Sequence, residues 1–168
     1  MIKNRIDLIT LGCSKNLVDS ERLMGQLAAC GYKLFHDADD VKGEIVIVNT
    51  CGFIGDAKEE SVNMILELCE AKKRHKIGKI FVMGCLSERY RKELLEEIPE
   101  IDRIYGKFDW KQILSELGHR WDDSLKASRL RTTPAHYEYI KIGEGCNRFC
   151  AYCAIPLITG TYKSRPME

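Results

Sequence analysis

Ile45-Val46-Ile47-Val48-Asn49-Thr50-Cys51-Gly52 is the stretch that decides the fold. A short, unbroken run of β-branched apolar residues is what a strand covered on both faces requires, whereas a half-exposed strand would alternate with polar residues. Lys79-Ile80-Phe81-Val82-Met83-Gly84-Cys85 repeats the pattern, and Ile6-Asp7-Leu8-Ile9-Thr10-Leu11-Gly12-Cys13 gives a more polar version of it. A helical segment follows each. The first runs from about Asp19 to Cys30 and stops at Gly31, a natural residue just past a helix end. The second runs from Asp56 to His75. Lys72, Lys73, Arg74 and Lys76 at its end suit the negative pole of the helix dipole and read as solvated structural charges. A third helix opens at Ser87 and stops before Pro99. A fourth runs from Asp109 to Gly118, and Lys33–Phe35 and Ile101–Tyr105 are further strand candidates. Alternation of this kind predicts an α/β fold: a doubly wound, mainly parallel sheet with helices on both faces. Right-handed crossovers then bring every loop that follows a strand to one sheet edge, the edge where open α/β sheets bind ligands.

Composition excludes several classes. The 168 residues carry 26 Lys and Arg against 25 Asp and Glu, and 45% are apolar, as in ordinary globular domains. No apolar run approaches the roughly 18 residues of a membrane helix, and the start has no secretory apolar stretch. Near-neutral charge gives no support for a nucleic-acid surface. Periodicity runs through residue 118 and is lost over 119–135, which reads as a linker. Beyond it, Tyr137 to Ile142 is expected to form another strand leading into Gly143-Glu144-Gly145-Cys146. The few residues after that strand cannot enclose a core of their own, so 136–168 reads as the opening of a further, truncated domain.

Eight cysteines are too few for a disulfide scaffold of this length, and without a signal peptide the default is a reducing, cytoplasmic setting in which clustered cysteines bind metal or catalyse. Cys30 continues the stripe Leu23, Leu27, and Cys69 continues Val62, Ile65, Leu66; both read as core. Cys13, Cys51 and Cys85 each follow a strand directly, each beside a glycine. Three unrelated small residues in tight turns is the bland alternative. The topology instead gathers all three on the ligand edge. Cys146-Asn147-Arg148-Phe149-Cys150-Ala151-Tyr152-Cys153 sets three thiols within eight residues of a loop. That spacing suits an iron–sulfur cluster with one iron left open, a zinc site lacking its fourth ligand, or a redox dithiol at Cys150 and Cys153. Arg148 reads as a surface charge, while Asn16 and Asn49 read as turn formers.

Cys146-x₃-Cys150-x₂-Cys153, with Tyr152 before the last cysteine, resembles the signature of the radical S-adenosylmethionine enzymes. Thr10-Leu11-Gly12-Cys13-Ser14-Lys15-Asn16, Asn49-Thr50-Cys51-Gly52-Phe53-Ile54 and Gly84-Cys85-Leu86-Ser87-Glu88-Arg89-Tyr90 resemble the N-terminal domain of their methylthiotransferase branch. Asn16-Leu17-Val18-Asp19-Ser20-Glu21 and Cys51-Gly52-Phe53-Ile54 resemble its RimO type, which modifies an aspartate of ribosomal protein uS12. The resemblance implies an N-terminal cluster-binding domain over 1–118 and the first strand and cluster loop of a radical barrel over 136–168. It implies two [4Fe–4S] clusters, one on Cys13, Cys51 and Cys85, the other on Cys146, Cys150 and Cys153 with S-adenosylmethionine at its open iron. Tyr152 would then lie near the adenine, or serve loop packing. The implied reaction adds a methylthio group to the aspartate β-carbon after hydrogen abstraction by a 5′-deoxyadenosyl radical, with uS12 as substrate and an electron-donor protein as partner. No catalytic residue is assigned, and the piece alone is not expected to turn over. A tRNA-modifying member of the branch and a non-catalytic iron–sulfur or zinc module are the alternatives; residues 1–128 carry 20 basic and 22 acidic groups, which argues against the first.

Overall fold

The computed structural model describes residues 1–125 and 128–166. Five parallel strands form one sheet: β1 (Ile2–Thr10), β2 (Lys33–His36), β3 (Gly43–Thr50), β4 (Lys79–Gly84) and β5 (Arg103–Ile104), in the order β2-β1-β3-β4-β5. Between them run α1 (Ser14–Ala29), α2 (Gly55–Lys73), α3 (Cys85–Arg89) and α4 (Arg91–Glu97), and α5 (Trp110–Glu116) follows β5. The winding direction reverses between β1 and β3, so these two strands flank the crevice where sheets of this order take ligands.

Alternation along the central strands splits the core in two. Val46 and Val48 of β3 and Ile80 and Val82 of β4 pack on one face with Ile65, Leu68 and Cys69 of α2, Leu86 of α3 and Leu94 of α4. Ile45, Ile47, Phe81 and Met83 point to the other face, against Leu23, Met24 and Leu27 of α1 and Ile113 and Leu114 of α5. This is the expected doubly wound sheet. Within the α2 stripe, Leu66 is exposed and Leu68 takes the buried place. Cys30 caps α1 and is only partly buried against the second face.

At the end of the sheet away from the crevice, the Asp7 carboxylate is buried and accepts the Lys42 and Gly43 N–H groups at 2.8 and 2.6 Å, with Arg5 Nε donating to it at 2.8 Å. Two backbone amides and a guanidinium satisfy the buried charge, which fixes where β3 enters beside β1.

Element boundaries depart from the sequence reading in four places. The first strand starts at Ile2, ahead of the Ile6 expected. The α1 helix begins at Ser14, one residue after Cys13, which stands at its N-cap with extended backbone. The helix expected from Ser87 to Pro99 breaks at Tyr90 into α3 and α4. The strand expected over Tyr137–Ile142 does not form; the ladder there is only β6 (Gly143–Glu144) against β7 (Lys163–Ser164), antiparallel. Tyr137, Tyr139, Ile140 and Ile142 are exposed, and an apolar run without a partner strand has nothing to complete its ladder. The 119–135 segment forms a short 3₁₀ turn at Asp123–Leu125, and residues on both sides of it bond to α1: Gln26 pairs its amide with the Asp122 backbone at 2.8 and 3.0 Å, and Leu130 N donates to Glu21 O at 3.1 Å. Its residues 126 and 127 lie outside the described residues. A last helix, α6 (Ile155–Thr159), follows the second cysteine loop.

Candidate cluster site

The three strand-end cysteines border the same cavity. Cys13, Cys51 and Cys85 line one cavity of about 420 Å³ together with Gly12, Phe53, Ile54 and Lys107. Glycines let the loops touch. A Cβ on Gly12, at φ +93°, would stand 2.6 Å from Cys51 Cβ and 2.8 Å from its Sγ, and one on Gly52 would stand 2.7 Å from Leu86 Cα. The loop after β1 therefore rests on the loop after β3, and that in turn rests on the start of α3.

A buried polar lattice holds these loops. Asn16 Nδ2 donates to Leu11 O at 2.9 Å and to Thr50 O at 3.1 Å, joining the ends of β1 and β3. Asn49 Nδ2 donates to Asn16 O and Ser20 Oγ at 2.9 and 3.0 Å. The Thr50 hydroxyl reaches Met83 O at 2.6 Å, tying β3 to β4. The Ser61 hydroxyl of α2 accepts the Cys51 N–H at 3.0 Å. Asn16 and Asn49 are thus cross-braces between strand ends, not local turn formers. Only groups buried here, with every partner in place, specify loop positions to this degree.

Lys107, in the turn after β5, is 2% exposed. Its ammonium lies 3.6 Å from Cys85 Sγ, 3.4 Å from Asn16 Oδ1 and 3.6 Å from Asp19 Oδ2. Asp19 is itself buried and accepts Lys141 Nζ at 2.7 and 2.9 Å, and Lys141 also pairs with Glu144. Burial pushes the Cys85 thiol up; the Lys107 ammonium pulls it back, while Cys51 and Cys13 raise it further. Burial likewise pushes the Asp19 carboxyl above its ordinary value against the pull of Lys141 and Lys107. For Lys107 burial works against the charge, yet Asp19, Cys85 and Glu144 outweigh it and hold the ammonium above the usual lysine range. Sequence reasoning missed this residue: nothing in Tyr105-Gly106-Lys107-Phe108 marks a buried lysine.

The cavity is completed from far along the chain. Lys15 and Ala57 add to the near side, and Glu144, Ile155, Ile158 and Thr159 form the part of the wall that comes from far along the chain. Glu144 stands two residues before Cys146 and Ile155 two after Cys153, so both ends of the second cysteine loop begin within about 7 Å of chain from that wall. The loop itself faces outward: Cys150 is exposed, Cys146 and Cys153 are partly buried, and Tyr152 is 91% exposed with its ring in solvent. Arg148 is exposed as expected. Cys146 N donates to Gly160 O at 3.1 Å, and Asn147 Oδ1 accepts Tyr162 N at 2.9 Å, which moors the loop to the β7 side.

Among the described residues, no three His, Cys, Asp or Glu side chains converge around a point as a single ion requires. Thiolates on a multi-iron cluster stand further apart, at the corners of an inorganic core. Three soft sulfur donors around a walled cavity fit such a core and do not fit a hard cation, which wants oxygens.

The model of the family described as "Uncharacterized protein family UPF0004" matches residues 5–106. Over all 168 residues the chain is 64% identical to the protein named ribosomal protein uS12 methylthiotransferase RimO of Parabacteroides distasonis and 60% identical to that of Bacteroides thetaiotaomicron. It is 52% identical to the Flavobacterium johnsoniae protein of the same name over 167 residues. The match covers 39%, 38% and 38% of those proteins respectively, so the chain spans about two fifths of the length of these relatives. The chain belongs to the UPF0004 family.

Proposed function

We propose that the chain is the N-terminal part of a radical S-adenosylmethionine enzyme that adds a methylthio group to the β-carbon of an aspartate of ribosomal protein uS12. One observation carries the reading: three cysteines remote in sequence line a single cavity, and the segment bearing the second cysteine triad closes its far wall. In this reading residues 1–118 are the cluster-binding domain and residues from 136 begin the radical domain. Cys13, Cys51 and Cys85 would hold one [4Fe–4S] cluster, and Cys146, Cys150 and Cys153 a second that binds S-adenosylmethionine. When bound, these groups supply one-electron reduction and sulfur for transfer.

The chain's own residues position and shield. Asn16, Asn49 and Thr50 lock the three strand-end loops in one arrangement, so the thiols meet a cluster without reorganising the backbone. Phe53, Ile54, Ile155 and Ile158 give the cavity an apolar wall. Lys107 sets a fixed positive charge at the Cys85 sulfur. Outward exposure of Cys150 and Tyr152 leaves the second loop open for the rest of a barrel, whose strand ends would supply the remaining contacts. An electron-donor protein and a cytoplasmic setting belong to the same reading; no helix among the described residues is long and apolar enough to cross a membrane.

Mass analysis of uS12 from cells with and without the gene tests the reading. The expected result is an aspartate that gains one methylthio group only when the protein is present. An unchanged uS12 together with loss of a methylthio group from tRNA would place the protein with the tRNA-modifying members instead.

A further inference from the structure

We propose that Lys107 is a positioning residue that sets the reduction potential of the cluster on Cys13, Cys51 and Cys85, with Asp19 as its counterweight. The inference rests on the cluster reading above and goes beyond it.

A lysine ammonium has three N–H donors and no acceptor. Lys107 donates to Cys85 Sγ at 3.6 Å and to Asn16 Oδ1 at 3.4 Å, and forms an ion pair with Asp19 Oδ2 at 3.6 Å. The side chain is fully enclosed, so the charge is little screened by water and cannot swing away. A buried lysine is expensive unless it is paired, and Asn16 and Asp19 already satisfy such a pairing. The contact to sulfur is therefore an additional feature of the site. Cluster potentials respond to net charge and to hydrogen bonds on the ligating sulfurs, and Lys107 supplies both at one ligand. Each added electron increases the negative charge beside it, so the ammonium favours the reduced state.

Asp19 is the counterweight. Its buried carboxylate pairs with Lys107 and is shared with Lys141, which is paired in turn with Glu144 on the cavity wall. Lys107, Asp19, Lys141 and Glu144 alternate in sign, so removing one member exposes the field of its neighbour. Loss of Lys107 and loss of Asp19 should then move the potential in opposite directions, which a purely structural role would not do.

The test uses the full chain carrying Cys146→Ala, Cys150→Ala and Cys153→Ala, reconstituted anaerobically with iron and sulfide, so that the strand-end cluster alone is read by redox titration with EPR detection. Lys107→Met should retain iron and lower the reduction equilibrium at least tenfold, a midpoint shift of about −59 mV for one electron; Lys107→Arg should restore most of it. Asp19→Asn should shift the midpoint upward. Should Lys107→Met fold poorly, Lys107→Gln and the charge-balanced pair Lys107→Met with Asp19→Asn provide the same comparison. Iron retained with no shift in midpoint overturns the inference and leaves the cluster reading standing, as does a shift of the same sign in both variants. Loss of iron from a folded Lys107→Met protein also overturns it, making Lys107 an assembly residue. Failure of the parent protein to bind iron at all strikes the cluster reading itself.

Discussion

Asn16 shows how much one short side chain does at this sheet edge. Its amide N–H groups join Leu11 O to Thr50 O, while its oxygen faces Cys85 Sγ at 3.7 Å and Lys107 Nζ at 3.4 Å. Asn16→Ala leaves two buried carbonyls and one ammonium short of a partner, at about 1–3 kcal/mol for each uncompensated group. We expect a loss of about 3 kcal/mol in urea unfolding and reduced iron loading. An Asn16→Ala protein of unchanged stability would show that the loops are held by other means. Cys69 provides the contrast: it packs among Ile65 and Leu68 at 3% exposure, so Cys69→Ala should cost about 1 kcal/mol and no iron. Iron loss from a folded Cys69→Ala protein would contradict its place in the core. The strand-end cysteines were legible because their position relative to a β-branched run is local information. Lys107 was not, because its burial depends on Asp19 and Asn16, brought alongside only when α1 docks. The bracing role of Asn16 and Asn49 was hidden for the same reason, since their partners lie on other strands.

At the scale of elements, the sheet and its helices follow from the alternation of Ile45, Val46, Ile47 and Val48 and of Ile80, Phe81, Val82 and Met83, which faces two cores at once. Helix starts were harder to read. The α1 helix begins at Ser14 because the chain turns immediately after Gly12, a tertiary requirement with little local signature. Tyr137–Ile142 has the composition of a strand without a neighbour to pair with, and a strand is a property of two segments. The turn into α3 depends on Gly84, at φ +108° and ψ −156°, a conformation open in practice to glycine alone. A Cβ there would lie 2.5 Å from both Asn49 Oδ1 and Thr50 O. Gly84→Ala should therefore destabilise by at least about 2 kcal/mol and misplace Cys85, so that both thermal stability and iron content fall. Wild-type iron content in that variant would show that the turn tolerates a side chain.

Across the whole molecule, two buried acids of α1 fasten the later segment to the sheet and its helices. Glu21, 1% exposed, accepts Thr132 N at 2.8 Å and Thr132 Oγ1 at 3.0 Å and pairs with Arg129 at 3.3 Å; Asp19 holds Lys141. The composition of 119–135 reads as a linker, yet these contacts lie along it and just beyond it, and no local pattern announces them. Glu21→Gln keeps the shape and weakens the anchor, so trypsin should cut at Arg129 and Arg131 faster while 1–118 stays folded; equal cleavage rates would mean that Glu21 does not anchor the segment. These contacts tie the wall formed by Glu144 and α6 to the pocket of Cys13, Cys51 and Cys85. That those three cysteines hold a cluster of their own is tested most directly by iron per chain after anaerobic reconstitution. About two four-iron clusters are expected in the wild-type chain and about one in Cys51→Ala, with the fold retained; equal iron in the two proteins would contradict it.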